Sequence, residues 1–317
     1  MPNSRNTVKR RLKDGSVKTY VYDRKPKGKP PAANTVGWLR RIYLAGPDFA
    51  ALAPSTQKYY KIMLHYLDGV RHMPVQDVEM GHIAHIRDRL AADRPGMANL
   101  FVGVCSALFK WARLRGHRKG DNPAHGIPKL QLGERGAWPD SALLKAESEM
   151  QGPIRLAFML ALHTGQRQGD VIGMTWSQFD GQGISLRQGK TGVDLYIPAT
   201  PALKAALEAA REGRGAVQIV AGPKGAYSLQ GFRYAWDCEM KRIGMHGQGL
   251  LFHGLRHTAL TRLAEAGCSE REIMAISGHK SPTTVSRYVR LANQRTMAEA
   301  AIVKLADAKR AKDSASN

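Results

Sequence analysis

The chain has 317 residues, 43% of them hydrophobic and 23% charged, enough for two domains that each hold a core. Its 48 lysines and arginines against 26 aspartates and glutamates leave a net charge of +22, which repels itself unless a polyanion is the partner; no basic amphipathic helix collects the charge, which argues for nucleic acid over an anionic membrane. Cys105, Cys238 and Cys268 lie far apart and outside any CxxC pair, excluding a disulfide framework and a zinc ribbon and fitting reduced thiols in a cytosol. No apolar run reaches membrane-span length, and the N-terminal cations are not followed by an apolar segment, so no signal peptide is expected.

Residues 1–31 form a basic N-terminal segment. Asp14-Gly15 stands between two short runs, the second with Tyr20, Val21 and Tyr22, a hairpin signal decorated by Arg5, Lys9, Arg10, Arg11, Lys13 and Lys18. A disordered basic tail and a small DNA-contacting hairpin both remain open. The run KPKGKPP at 25–31 reads as a stiff linker.

Residues 32–127 read as a helical domain. Asn34 is placed to cap a helix carrying Trp38 and Ile42, and Pro54-Ser55 opens a second with Tyr59, Ile62, Met63 and Tyr66. A third carries Ile83, Ile86 and Leu90, and Pro95-Gly96 begins a fourth with Leu100, Val104, Leu108 and Trp111. These stripes are expected in the core. Lys110, Arg113, Arg115, His117, Arg118 and Lys119 form an exposed basic cluster at the end of the fourth helix, either a solvated face or a set of phosphate contacts; Lys110, Arg113, Arg115 and Lys119 are the preferred DNA-binding residues. Residues 128–136 are the expected interdomain linker.

Residues 137–317 mix helices and strands. Pro153 opens a buried helix (Ile154, Leu156, Phe158, Met159, Leu162) closed by Gly165, and 184–187 and 193–197 are strands around the turn Gly189-Lys190-Thr191-Gly192. Thr200-Pro201 starts a helix that Gly213 ends, and Ser228 starts another. Ser269 and Glu272 make a capping box, and Ser281-Pro282 opens the helix carrying Tyr288. Ala301, Ile302 and Leu305 lie on a tail helix with little core left to join, expected to dock on a neighbouring protomer.

Six residues stand out chemically: Arg167, Lys190, His253, Arg256, His279 and Tyr288. A phosphodiester under attack spreads negative charge over its non-bridging oxygens, and arginine forks from two segments can clamp it without a metal. Arg167 follows a buried helix and a glycine turn, and Asp170, three residues on, is placed to brace its guanidinium or cap the next helix. His253 and Arg256 are three apart on one helical face near a helix start, where free N–H groups favour phosphate. A zinc pair of His253 and His257 is the competing reading, disfavoured because no glutamate follows the first histidine and no third ligand is evident. His279 follows a helix end, and Tyr288 is either core or a nucleophile whose phenolate nearby arginines would favour. Lys190, at a hairpin tip, is either solvated or a proton donor to a leaving alkoxide.

The order and context of these residues resemble the tyrosine recombinases, the family of phage integrases and chromosome-dimer resolving recombinases. The resemblance is carried by TGQRQGDVIGMTW (164–176), QGKTG (188–192), FHGLRHT (252–258) and LAEAGCSEREIMAISGHKSPTTVSRY (263–288). Two positions depart from the family pattern: Ser277 replaces the leucine usual before Gly-His, and Gly169 is an uncommon residue near Arg167; neither removes a functional group. The resemblance implies a mainly α fold with a small β-sheet in the catalytic domain (α+β), in which a helical core-binding domain and a catalytic domain close as a C-shaped clamp on DNA. It implies Arg167 and Arg256 as the phosphate clamp, Lys190 as acid for the 5′-hydroxyl, His253 as acid/base, His279 as a phosphate hydrogen-bond partner, Tyr288 as nucleophile and Asp170 in support. It also likens the N-terminal hairpin to the arm-type DNA-binding domains of some integrases.

The expected function is therefore site-specific recombination through a 3′-phosphotyrosyl intermediate, without metal, cofactor or ATP, for integration or excision of a prophage or mobile element. The expected partners are double-stranded DNA attachment sites and three further copies, a homotetramer on DNA from a protein free to be a monomer in solution, with room for a DNA-bending accessory protein and no membrane. The expected location is the bacterial cytoplasm at the nucleoid. The alternatives are a topoisomerase, a chromosome-dimer resolvase or a telomere resolvase with the same chemistry, a catalytically silent DNA-binding regulator, and a metal-dependent nuclease, for which no carboxylate cluster speaks.

Overall fold

The computed structural model describes residues 5–11, 17–23, 31–133, 136–211 and 217–315. The expected Asp14-Gly15 turn, the run 24–30, two residues of the interdomain linker (134–135) and the helix-ending Gly213 lie outside the described residues. The strands Arg5–Arg11 and Val17–Asp23 pair antiparallel, with Val8 opposite Tyr20. The chain divides into two compact units, 1–133 and 134–317. No described helix is long and apolar enough to cross a membrane.

The first unit is built on the helices Val36–Ala45, Pro54–His65, Met80–Ala91 and Pro95–Leu114. Proline at the first helical position starts the second and fourth, where a missing N–H costs nothing. Thr35, not Asn34, caps the first helix: its hydroxyl accepts from the Trp38 N–H, while Asn34 takes a left-handed φ of 61° and its carbonyl accepts from Val75. Leu39, Met63, Leu64, Ile83, Phe101, Leu108 and Phe109 form the core.

Three residues of the expected stripes are not in that core. Tyr59, Ile62 and Leu100 are 55%, 41% and 41% exposed. On Pro54–His65 the covered arc centres on Tyr60, Met63 and Leu64, and at 100° per residue Tyr59 falls roughly 90° to one side and Ile62 nearly opposite. Spacing shows which side chains share a face, but not which face a neighbouring helix covers.

The basic cluster also divides. Lys110, Arg113, Arg115 and Lys119 are exposed, and Arg115 pairs with Asp48 at 2.7 Å. Arg118 is buried: its guanidinium donates to the main-chain carbonyls of Val75, Gln76, Val78 and Asp121. His117 packs edge-on against Trp38 at 5.1 Å. The helix ends at Leu114, so the chain reverses there and turns these two side chains inward.

The second unit wraps a central helix, Gly152–Thr164, whose side chains are buried on nearly every side and which packs on Phe252–Glu265. Around them lie Asp140–Glu149, Gln168–Gly173, Pro201–Arg211, Leu229–Arg242, Glu270–Ser277 and Pro282–Ala315. Gly183–Arg187 pairs antiparallel with Asp194–Pro198, Ile184 opposite Ile197, and Ala221–Gly222 pairs with Gly225–Ala226. The chain is thus mainly helical with small two-stranded sheets. Trp138, Phe158, Phe232, Trp236 and Phe252 pack ring to ring in the core. The last helix runs unbroken for 34 residues, so the expected tail helix continues the helix of Tyr288; its Ile302 and Leu305 are 66% and 68% exposed.

Candidate active site

Two glycine-ended helices shape the site. Gly152–Thr164 stops at Gly165 (φ 62°) and Glu270–Ser277 stops at Gly278 (φ 66°), both in the left-handed conformation that glycine adopts without strain. Each turn leaves a main-chain carbonyl facing the same interior, and Arg256 takes both. Its Nη1 donates to Gly165 O at 2.6 Å and its Nη2 to Ser277 O at 2.9 Å. Arg256 sits in the first turns of Phe252–Glu265 and is only 4% exposed.

Arg167 approaches from the other side. It is the N-cap residue of Gln168–Gly173, and its Nη1 donates to Gln188 Oε1 at 3.0 Å. Gln188 is a buried hub: its Nε2 donates to Gln166 Oε1 (2.6 Å) and Ser277 O (2.9 Å), and its Oε1 also accepts from Thr191 Oγ1 (2.5 Å). Gln166 in turn donates to Thr164 O and Ile276 O. Two uncharged amides thus hold the two arginines in one frame. The Gly278 backbone is pressed so closely on this hub that a Cβ there would lie 2.5 Å from Gln188 Nε2.

The electrostatics are those of an anion site. Burial first, and then the charge of Arg167, pull the Arg256 guanidinium down to about 10. His279 is pushed down to about 4 by burial, Arg256, Arg167 and His257, so its ring is neutral near pH 7. Its Nε2 lies 2.9 Å from Arg256 Nη2, which can only donate, and its Nδ1 lies 2.8 Å from Ser277 Oγ. The serine that replaces the expected leucine therefore accepts the Nδ1 proton of His279.

Tyr288, half-buried on the last helix, sets its hydroxyl 2.7 Å from His257 Nδ1. Burial raises the phenol's pKa; Arg287 and Arg256 oppose the rise. Asp170 does not brace Arg167: its Oδ1 accepts the Gly189 N–H at 2.8 Å, pinning the hairpin turn that carries the exposed Lys190, and its Oδ2 is buried without a partner. His253 is exposed in the first turn of its helix, its ring edge-on to that of His257 at 5.4 Å. Arg167, Arg256, His279 and Tyr288 thus gather about one interior, with Lys190 and His253 exposed. Among the described residues no group of three or more His, Cys, Asp or Glu is placed to hold a metal, which leaves the zinc pairing of His253 and His257 without a third ligand.

Sequence reasoning passed over Gln166 and Gln188, and weighed His257 only as a zinc partner of His253. Gln188 lay inside a quoted motif, but an amide carries no charge to draw attention. His257 had a signal, since four residues after His253 it shares that face of the helix.

The model of the phage integrase family matches residues 141–295, which include all these groups. The unit that holds the site belongs to the phage integrase family. Over 252 residues the chain is 28% identical to a shufflon-specific DNA recombinase of Escherichia coli, covering 74% of this chain and 61% of that protein. Over 234 residues it is 26% identical to the integrase of Escherichia phage lambda, covering 69% and 65%. The chain thus spans somewhat under two thirds of the length of these relatives. In fold it resembles lambda integrase dimers bound to a COC′ core site (TM-score 0.67, 25% identity, 80% of this chain and 77% of that one). It also resembles the Tn1549 transposon integrase with circular intermediate DNA (TM-score 0.70, 18% identity, 84% and 99%).

Proposed function

We propose that this phage-integrase-family protein is a site-specific DNA recombinase that cuts and reseals DNA through Tyr288, integrating or excising a prophage or mobile element. The supporting observation is the pairing of a buried arginine, Arg256, with a second, Arg167, through one amide hub beside a half-buried phenol. A buried guanidinium with a second, half-exposed one beside it repels that neighbour until an anion joins them, and their forks match the two non-bridging oxygens of a phosphodiester. His279 adds a neutral ring at the same point.

Tyr288 attacks the phosphorus, the bond to the 5′ oxygen breaks, and a 3′-phosphotyrosyl link keeps the diester's energy for resealing by another strand's 5′-hydroxyl. No ATP is then required. Lys190, on a turn held by Asp170, protonates the departing 5′ oxygen, and His253 works at the rim as acid and base. Lys110, Arg113, Arg115 and Lys119 contact DNA phosphates from the first unit. The protein acts on double-stranded attachment sites at the nucleoid of a bacterial cell, an accessory DNA-bending protein assisting where the site must be bent. Exchange between two duplexes takes four protomers, and the exposed apolar residues Ile302 and Leu305 of the last helix serve contacts between them; a lambda integrase tetramer on a Holliday junction has a related fold (TM-score 0.65).

The test is strand exchange. Sequences recovered from a randomised duplex pool by binding are placed in pairs on a supercoiled plasmid, and recombinant products are scored beside topoisomers. Recombinants made by the wild type and absent with Tyr288→Phe are expected. Relaxation alone, or tight binding with neither reaction, contradicts the proposal.

A further inference from the structure

The phenol of Tyr288 must lose a proton as its oxygen attacks, and the site raises the difficulty of that loss. Burial pushes the phenol's pKa up, so the hydroxyl stays protonated in the resting protein. Its proton needs an acceptor at the moment of attack. Arg256 and Arg287, the cations whose charges reach the phenol, can only donate. His279 already gives its Nδ1 proton to Ser277 and takes a hydrogen bond from Arg256 at Nε2. Lys190, exposed on its turn, is an ammonium with no lone pair to offer.

His257 meets the need. Its Nδ1 lies 2.7 Å from the Tyr288 hydroxyl, within the range of a hydrogen bond ready for transfer. The ring is half-buried and fixed on a rigid helix, one residue after Arg256, so acceptor and phosphate clamp are set by the same turn.

We infer that His257 takes the proton of Tyr288 as its oxygen attacks. This rests on the recombinase reading above and adds a catalytic residue to it. In the step, the Nδ1 lone pair takes the phenolic proton as the Tyr288 oxygen bonds to phosphorus. The bond from phosphorus to the 5′ oxygen breaks, and that oxygen leaves with a proton from Lys190. In resealing, the incoming 5′-hydroxyl gives its proton to Lys190 as its oxygen bonds to phosphorus, and His257 returns its proton to Tyr288 as the phosphotyrosyl bond opens, so the cycle balances.

The experiment is single-turnover formation of the covalent protein–DNA adduct by the full-length chain, on nicked duplexes recovered from the randomised pool. The duplexes carry either the natural 5′ oxygen or a bridging 5′ sulfur at the cleaved bond. A thiolate leaves without a proton, so the sulfur substrate bypasses the need for an acid but not for a base. His257→Ala is expected to slow adduct formation by about 100-fold or more on both substrates, with recovery by added imidazole. Lys190→Ala is expected to be slow on oxygen and restored on sulfur. His257→Gln keeps the bulk and a hydrogen-bond acceptor but cannot carry the proton, and is expected to be as slow as the alanine variant with unchanged circular dichroism. Wild-type rates in His257→Gln, or recovery of His257→Ala by sulfur alone, would overturn the assignment. A wild-type protein that forms no adduct on these duplexes would overturn the recombinase reading itself, and His257's role with it.

Discussion

Replacing Gln188 with leucine separates the packing of the site from its polar frame, because the two side chains are close in volume. The variant removes four hydrogen bonds: two donated to Gln166 Oε1 and Ser277 O, and two accepted from Arg167 and Thr191. They are not lost equally. Ser277 O keeps its bond from Arg256, and the half-exposed Arg167 and Thr191 find water. Gln166 is 1% exposed, and its carbonyl oxygen loses its donor in a buried place. An orphaned buried acceptor costs ~1–3 kcal/mol, and the partly compensated losses bring the total to about 2–3 kcal/mol. For a unit of this length that lowers Tm by roughly 4–12 °C. Calorimetry of the full chain reads the shift, and single-turnover adduct formation reads the loss of Arg167's alignment, expected at about 10–100-fold. A Gln188→Leu protein within ~0.5 kcal/mol of wild type that cleaves at the normal rate would show that the amide hub holds nothing.

Further expectations concern pH and the first unit. His279 has a folded pKa of about 4 against an ordinary value near 6.5, so the unfolded chain takes the proton first as pH falls; the stability it carries is complete above about pH 6.5 and lost progressively toward pH 4. Its ring is half-exposed, and solvent screening reduces the loss to about 1 kcal/mol. Urea midpoints at pH 7 and pH 4.5 should therefore converge by that amount in His279→Gln, whereas parallel pH dependence in variant and wild type would contradict the shift. Arg118→Met, by stripping buried carbonyls of their donors, should destabilise the protein by ~2–4 kcal/mol and leave the salt dependence of DNA binding unchanged. Lys110→Ala should do the reverse, lowering the slope of log K against log salt by about one with stability intact; equal effects of the two would erase the distinction between buried and exposed members of the cluster.

The sequence carried the helices and the charged groups well, and their surroundings poorly. Proline at the starts of Pro54–His65 and Pro95–Leu114, Gly165 at a helix end and the Ser269–Glu272 capping box are local signals, and local backbone chemistry decides them. Arg167, Arg256, His279 and Tyr288 could be picked out because charge and ring nitrogens in a motif order are visible in one dimension. What was lost depends on long-range contact. Arg118 reads as a surface cation until Val75 and Val78 are seen to surround it, some forty residues away in sequence. Asp170 was placed beside Arg167 by spacing, yet its oxygen reaches Gly189 on a different element. Tyr59 and Ile62 satisfy a helical repeat but lie off the arc that other helices cover.

The most direct test of the central claim locates the atom that attacks DNA. Nicked duplexes from the randomised pool are incubated with the protein in EDTA, adducts that survive denaturant are digested, and the peptide bearing a nucleotide is found by mass spectrometry. The account predicts a 3′-phosphate ester on the Tyr288 side chain and no adduct from Tyr288→Phe. A nucleotide on any other residue, or cleavage that persists in Tyr288→Phe, would contradict it.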